Sequence, residues 1–257
     1  MRYLIIVIFF SPLLLLSQEK GTFKVELESS YRTFNLKDLN GLINDPYYTG
    51  YENYDKVSIK NGLSYGLQLS YNFILPLSLG IYGEYQYSST SQKLYYNIEY
   101  LPGYYLQEIT LKKLKIRSYS FGLNTNIILN NLPFWKNNSW LSRIESNINI
   151  QTGYGKVFFS SSSEMIPTDQ MNVHNAGTEL YNDVYSSSGF QLITSLKLGY
   201  IFTQKKYFSS MGLKIGYQYF TTSNIEQGSK KKSPMIGRET KINLSGLTAG
   251  IYLTFGR

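Results

Sequence analysis

Residues 63–73 read Leu63-Ser64-Tyr65-Gly66-Leu67-Gln68-Leu69-Ser70-Tyr71-Asn72-Phe73. Every odd position is apolar or aromatic, and every even position is small or polar. Side chains alternate across a strand with a period of two, so this segment is a strand with one greasy and one polar face. At an apolar content of 42%, random order would produce it in about 4 of 10,000 windows, so chance does not account for it.

The same alternation recurs on both sides. A first strand near 22–34 sets Phe23, Val25, Leu27 and Tyr31 against Lys24, Glu26, Glu28, Ser30 and Arg32. After the turn 74–78, a third sets Leu79, Ile81, Gly83, Tyr85 and Tyr87 against Tyr82, Glu84, Gln86 and Ser88. A fourth ends near 129 and carries Tyr119, Phe121 and Leu123 on one face. The fifth runs about 140–155, the sixth 189–202, the seventh 207–220 and the eighth 241–255. Short connections follow the second, fourth and sixth strands. Long ones, roughly 35–61, 89–115, 156–188 and 221–240, follow the first, third, fifth and seventh. Within 89–115, two arms flank Leu101-Pro102-Gly103 and read as one hairpin that continues past its strands. The alternative is an extra strand pair, which raises eight strands to ten. The Ser-, Asn- and Asp-rich stretch 160–188 reads as mobile.

Met1-Arg2-Tyr3, an apolar run from Leu4 to Leu16 and the small Ser17 describe a cleavable secretory signal over 1–17. That leaves 18–257 as a single domain. The run is too short for a comfortable membrane helix, and no later stretch reaches the ~18 consecutive apolar residues that one requires. An exported chain of this kind is either soluble or crosses a membrane as a closed barrel. The absence of cysteine excludes disulfides, thiol chemistry and cysteine zinc sites. The formal charge of +8 is compatible with nucleic acid, but export makes anionic lipid the expected partner.

Alternation alone does not say which face is inside. A soluble barrel hides its greasy face around a ligand, whereas a membrane barrel shows it to lipid. The polar faces are rich in Gly, Ser, Asn and Gln, which suit a narrow packed lumen. Their charges have both signs: Lys24, Glu26, Glu28, Arg32, Glu84, Arg143, Glu145, Lys197 and Lys214. Such groups can pair across a small interior. Aromatics gather at both strand ends. Phe73, Trp135, Trp140, Tyr200, Phe202, Tyr207 and Phe255 lie near the turns; Tyr31, Tyr85, Tyr87, Tyr154, Tyr217 and Tyr219 lie near the loops. Two aromatic girdles match two lipid–water interfaces. The expected fold is all-β, an antiparallel up-and-down transmembrane barrel of eight strands with both termini periplasmic.

The signal, the hairpin layout and the closing Thr248-Ala249-Gly250-Ile251-Tyr252-Leu253-Thr254-Phe255 resemble the small outer-membrane β-barrel proteins of Gram-negative bacteria, the OmpA/OmpX type. In that family the last strand carries a polar residue, a glycine and two hydrophobic positions read by the barrel-assembly machinery. Thr248, Gly250, Leu253 and Phe255 match this spacing. Leu253 stands where an aromatic is usual, and Gly256-Arg257 follow the terminal aromatic. The resemblance implies insertion by that machinery into the outer membrane, among lipid and lipopolysaccharide.

Chemistry is sparse. The single histidine, His174, sits in a loop, and no His-x-Ser accompanies it. Ser160 to Ser163 form a run without an evident base. Asp45, Glu52 and Asp55 lack the spacing of a calcium loop. No catalytic, cofactor or metal residue is therefore assigned, and the chain is not expected to be an enzyme. Lys230, Lys231, Lys232 and Arg238 form a basic loop that could face lipopolysaccharide phosphates, and a solvated loop tip is the favoured reading. Tyr47, Tyr48, Tyr51 and Tyr54 form a candidate binding patch. The expected role is structural or interactive, with long outer loops. A narrow channel or carrier for a small apolar molecule is the main alternative, and a lipid-modifying enzyme the third.

Overall fold

The computed structural model describes residues 22–45, 53–74, 76–131, 141–166, 179–202, 208–227 and 240–256. The expected signal segment lies outside these residues. Eight long strands make the body: β1 (Phe23–Thr33), β2 (Asn61–Ile74), β3 (Leu77–Leu101), β4 (Tyr104–Ile128), β5 (Ile144–Ile166), β6 (Glu179–Ile201), β7 (Phe208–Asn224) and β8 (Gly246–Gly256). Each pairs antiparallel with its neighbour in the chain, and β8 also pairs with β1. The sheet therefore closes on itself as an up-and-down barrel without an open edge. Leu27 of β1, for example, lies opposite Leu67 of β2 and Leu253 of β8. Two-residue strands at Asn53–Tyr54 and Glu226–Gln227, and Lys241–Asn243, add short pairings beyond the barrel strands. No described helix is long and apolar enough to cross a membrane.

Strand length divides the barrel into two zones. A membrane-crossing strand needs roughly 9–11 residues. β1 and β8 have 11 each, whereas β3 and β4 have 25. The long strands thus extend well beyond the belt defined by β1 and β8. This settles the eight-or-ten alternative: the arms flanking Leu101-Pro102-Gly103 are continuous with β3 and β4, paired from Leu77↔Ile127 to Leu101↔Tyr104. Gly103 makes the turn at φ 83°, a left-handed conformation that glycine adopts without steric cost. The expectation that 160–188 is mobile is corrected for its two ends. Residues 160–166 and 179–188 are paired strand, with Ser160 opposite Val184. Likewise, the expected eighth strand starts late, because 241–243 pair separately with β7 before β8 begins at Gly246.

The outward face changes character along this axis. Around the belt, Leu27, Leu67, Leu69, Ile81, Leu123, Leu213, Ile215 and Ile251 are exposed. Tyr31, Tyr65, Tyr119, Tyr154, Tyr217 and Tyr219 rim the belt toward the long loops and are also exposed. At the turn end the rings of Tyr200, Phe202, Phe208 and Phe255 form a chain with centroids 4.9–5.6 Å apart. Beyond the loop-end tyrosines, the apolar phase flips. On β4, Phe121 and Tyr119 point outward, but Ile116 and Leu114 point inward and are buried. On β5 the flip falls between Tyr154 and Val157, and on β6 between Phe190 and Tyr185. The flip follows from solvent. Where lipid surrounds the wall, apolar side chains face out; where water surrounds it, they turn in.

Candidate functional site

The lumen is the first candidate, and polar side chains fill it. Lys214 Nζ lies 2.6 Å from Glu28 Oε2, and Lys197 Nζ lies 2.8 Å from Glu28 Oε1 while also pairing with Glu26. Glu28 accepts a further hydrogen bond from Gln68. Gln68 Oε1 in turn accepts from Asn124 Nδ2 at 3.1 Å. A second node centres on Glu84, which pairs with Arg32 Nη2 at 2.5 Å and accepts from Gln86 and Gln191, each at 3.2 Å. Tyr82 donates to Gln191 Oε1 at 3.0 Å. Near the turn end, Asn147 and Tyr252 donate to Glu145 at 2.9 and 3.3 Å. Each buried charge in the two nodes meets an opposite charge, as a low-dielectric interior requires. Among the nine charges expected on the polar faces, Arg143 is a correction. It lies exposed on a 3-10 turn (Leu141–Arg143) before β5, where the strand has not yet started.

Aromatic side chains also lie against the inner wall, in slots left by glycine. A Cβ at Gly153 would come 2.6 Å from the Tyr82 hydroxyl, and one at Gly155 would come 2.7 Å from Cζ of Phe220. The Tyr252 hydroxyl occupies the corresponding position at Gly199. Gly199, on a polar strand face expected to make room in a crowded lumen, does so for Tyr252, and Gly153 and Gly155 do the same for Tyr82 and Phe220. At the turn end a cavity of ≈ 10 Å³ lies among Lys24, Glu26, Asn72, Asn126, Glu145 and neighbours. That is about the room of one water.

The loop end is closed by a different device. The first long connection forms a short helix, α1 (Lys37–Ile43). A helix of this length is not stable alone and needs a packed face. Leu36, Leu39 and Ile43 supply that face, with Ile59 on the returning segment. They pack with the inward Leu114, Ile116, Val157, Phe159, Tyr185 and Phe220, and with Ile225, Ile242 and Leu244 of the last connection. The result is an apolar plug across the mouth. Asn40 and Asn44 secure it. Asn40 Nδ2 donates to Ile59 O at 3.0 Å while Ile59 N donates to Asn40 Oδ1 at 2.9 Å. Asn44 makes the same reciprocal pair with Val57, at 2.6 and 2.9 Å. One helical turn rises about 6 Å over four residues, close to the two-residue repeat of a strand, so Asn side chains spaced i, i+4 imitate a neighbouring strand.

Few of the other residues singled out from the sequence fall within the described residues. His174, Glu52, Tyr47, Tyr48, Tyr51, Trp135, Trp140, Tyr207, Lys230, Lys231, Lys232 and Arg238 lie outside the described residues. Tyr54 donates to Asn44 O at 2.6 Å, helping to hold the plug. Asp55 accepts from Tyr95 at 3.4 Å on the surface. Among the described residues, no group of acidic or histidine side chains is arranged to hold a metal. Ser160 to Ser163 belong to β5, with Ser161 buried facing inward.

No family model and no curated protein matches the chain. Solved structures do. The outer membrane protein OprG of Pseudomonas aeruginosa aligns over 94% of this chain and 98% of its own, at 9% identity and a TM-score of 0.43. A major outer membrane protein of Thermus thermophilus aligns over 92% and 100%, at 12% identity and 0.42. Neisserial surface protein A aligns over 91% and 99%, at 13% identity and 0.37. At these identities and TM-scores the likeness says nothing of this chain's role. By its own geometry, closure of β8 on β1 with an exposed apolar belt and a polar lumen, the chain has the eight-stranded antiparallel barrel fold of the small outer-membrane β-barrel proteins.

Proposed function

We propose that the protein is an outer-membrane barrel with a structural or surface-interaction role, presenting its extended loop end to the exterior with both termini on the periplasmic side. The observation that carries this reading is the doubly blocked lumen: an ion-paired polar layer within the belt and an apolar plug of α1 and its partners above it. A route for solutes would have to break buried charge pairs and unseat the helix, which weighs against the channel and carrier alternative. Ile193 and Phe220, which face inward, are themselves fully buried. Among the described residues the enzyme alternative finds little support: the buried Glu26, Glu28 and Glu84 are paired with Lys or Arg, Glu145 accepts from Asn147 and Tyr252, and no base lies within hydrogen-bond reach of Ser161 Oγ. The expected partners are outer-membrane lipid, lipopolysaccharide and, during insertion, the barrel-assembly machinery through the end of β8.

Cell fractionation with heat-modifiable gel migration tests this reading. A folded barrel recovered in the outer membrane, migrating faster before boiling than after, supports it. A soluble monomer in the periplasmic fraction overturns it. Planar-bilayer recordings check the plug: a silent wild type is expected, and steady conductance through it contradicts the blocked lumen.

A further inference from the structure

Cationic side chains gather on one arc of the outer wall, directly above the lipid belt. Arg117 and Lys156 are exposed, and Lys115 is half-buried. Arg117 lies opposite Phe158 and Tyr87, and Lys156 lies opposite Tyr119, so the two cations are diagonal neighbours on β4 and β5. Such positions are about 7–8 Å apart, within reach of one shared anion for side chains of this length. Lys156 Nζ is held 5.1 Å from the Phe158 ring centroid. Higher on the same outer face, Glu164 of β5 is already engaged by Lys113 at 2.5 Å. At the height of Arg117 and Lys156, the outward positions of β6 and β7 are Ser188, Ser186, Thr221 and Ser223, which carry no charge. The cluster is therefore a local feature of one arc.

Below it lies an opening in the belt. Gly83 faces outward between Leu67 and Phe121, and a Cβ there would touch nothing within 4 Å. The missing side chain opens a shallow apolar notch in the outer wall, bordered by Tyr65, Leu67, Tyr85 and Tyr119. Tyr85 and Tyr119 stand between notch and cations, their ring centroids 5.0 Å apart. Tyrosine at this level marks the headgroup boundary. Gly83 is four residues from Tyr87, the partner of Arg117, or about 13 Å along the strand. An apolar notch and a cation cluster that far apart, with tyrosines between, match an acyl chain and its phosphate.

We propose that the outer wall of β3–β5 binds one net-anionic phospholipid of the bilayer, with its phosphate on Arg117, Lys156 and Lys115 and an acyl chain in the Gly83 notch. The proposal rests on the membrane reading of the preceding section. Arg117 supplies a planar fork suited to phosphate oxygens, and the two lysines add point charge.

The test is native mass spectrometry of the full chain released from nanodiscs of phosphatidylcholine mixed with phosphatidylglycerol. Wild type should retain one phosphatidylglycerol in preference to phosphatidylcholine by about tenfold or more. Arg117→Gln with Lys156→Gln should abolish the preference, and Gly83→Leu should lower retention of the lipid while leaving the barrel folded. Lys93→Gln, higher on the outer wall, should change neither. Equal retention by wild type and the double variant overturns the site. Displacement of the lipid by millimolar glycerol phosphate also overturns it, because the cations would then serve a soluble anion. Failure of wild type to insert into nanodiscs would instead overturn the membrane reading, and the site with it.

Discussion

Glu28 and Lys214, separated by 186 residues in the chain, meet at 2.6 Å inside the barrel. Lys197 reaches the other oxygen of the same carboxylate, so one acid holds two ammonium groups. Removing Glu28 leaves two buried cations with less compensation than removing either lysine leaves the acid. Glu28→Gln is therefore expected to destabilise the barrel by about 3–5 kcal/mol, and more than Lys214→Met. The double variant should recover part of the loss. Urea unfolding in a fixed lipid composition measures all three.

The phase of the wall predicts depth-dependent costs. Leu69→Arg in the belt should cost about 2–4 kcal/mol if measured by reversible unfolding in bilayers. Ser186→Arg, outward on β6 beyond the tyrosine rim and opposite Phe158 and Glu226, should be near neutral. Equal costs at the two positions would contradict the placement of the lipid boundary.

Ring-in-slot packing predicts a coupled pair at the loop end. Gly155→Ala drives a methyl toward Cζ of Phe220, a buried ring of the plug. Overpacking of this kind costs about 1–3 kcal/mol. Phe220→Leu in the same chain should remove much of that cost, giving a positive coupling in a double-mutant cycle. Additive losses would show that the ring does not occupy the glycine slot.

Lys112 lies on β4 beyond the belt, buried and facing inward. Burial pushes its ammonium down to about 8, partly opposed by the nearby Asp183. Its folded value thus lies below the ordinary 10.5, so the folded loop end binds fewer protons than the opened one between these values. Local stability should rise as pH climbs from about 8 to 10.5 and be flat below. Amide exchange at Ile116 and Phe159, corrected for intrinsic rates, reads this directly. Lys112→Met should abolish the slope.

Strand number, the faces of the belt and the lumen charges Glu26, Glu28, Arg32, Glu84, Lys197 and Lys214 were legible because one physical constraint, lipid outside and a narrow lumen inside, acts on every second residue. The upper barrel was less legible for the same reason. Past Tyr119 and Tyr154 the outer solvent changes, so Leu114, Ile116, Val157 and Phe159 shift to the opposite phase, and a reading in one phase ends the strand there. The plug was illegible for a different reason. α1 is too short to show a helical period, and its signal is the pair Asn40 and Asn44 with Leu36, Leu39 and Ile43 between and around them. The lipid-site residues Arg117, Lys115 and Lys156 became a cluster only once register placed β4 beside β5.

The central claim is that neighbouring residues of one strand face lipid and lumen. Because the chain has no cysteine, Leu69→Cys and Ser70→Cys each give a single site for a nitroxide label. In reconstituted bilayers, the label at 69 should be mobile, accessible to oxygen and shielded from a water-soluble nickel chelate. The label at 70 should be immobilised and accessible to neither. A label at 69 that is immobile and shielded from oxygen, in a protein that stays in the aqueous phase, would contradict the account.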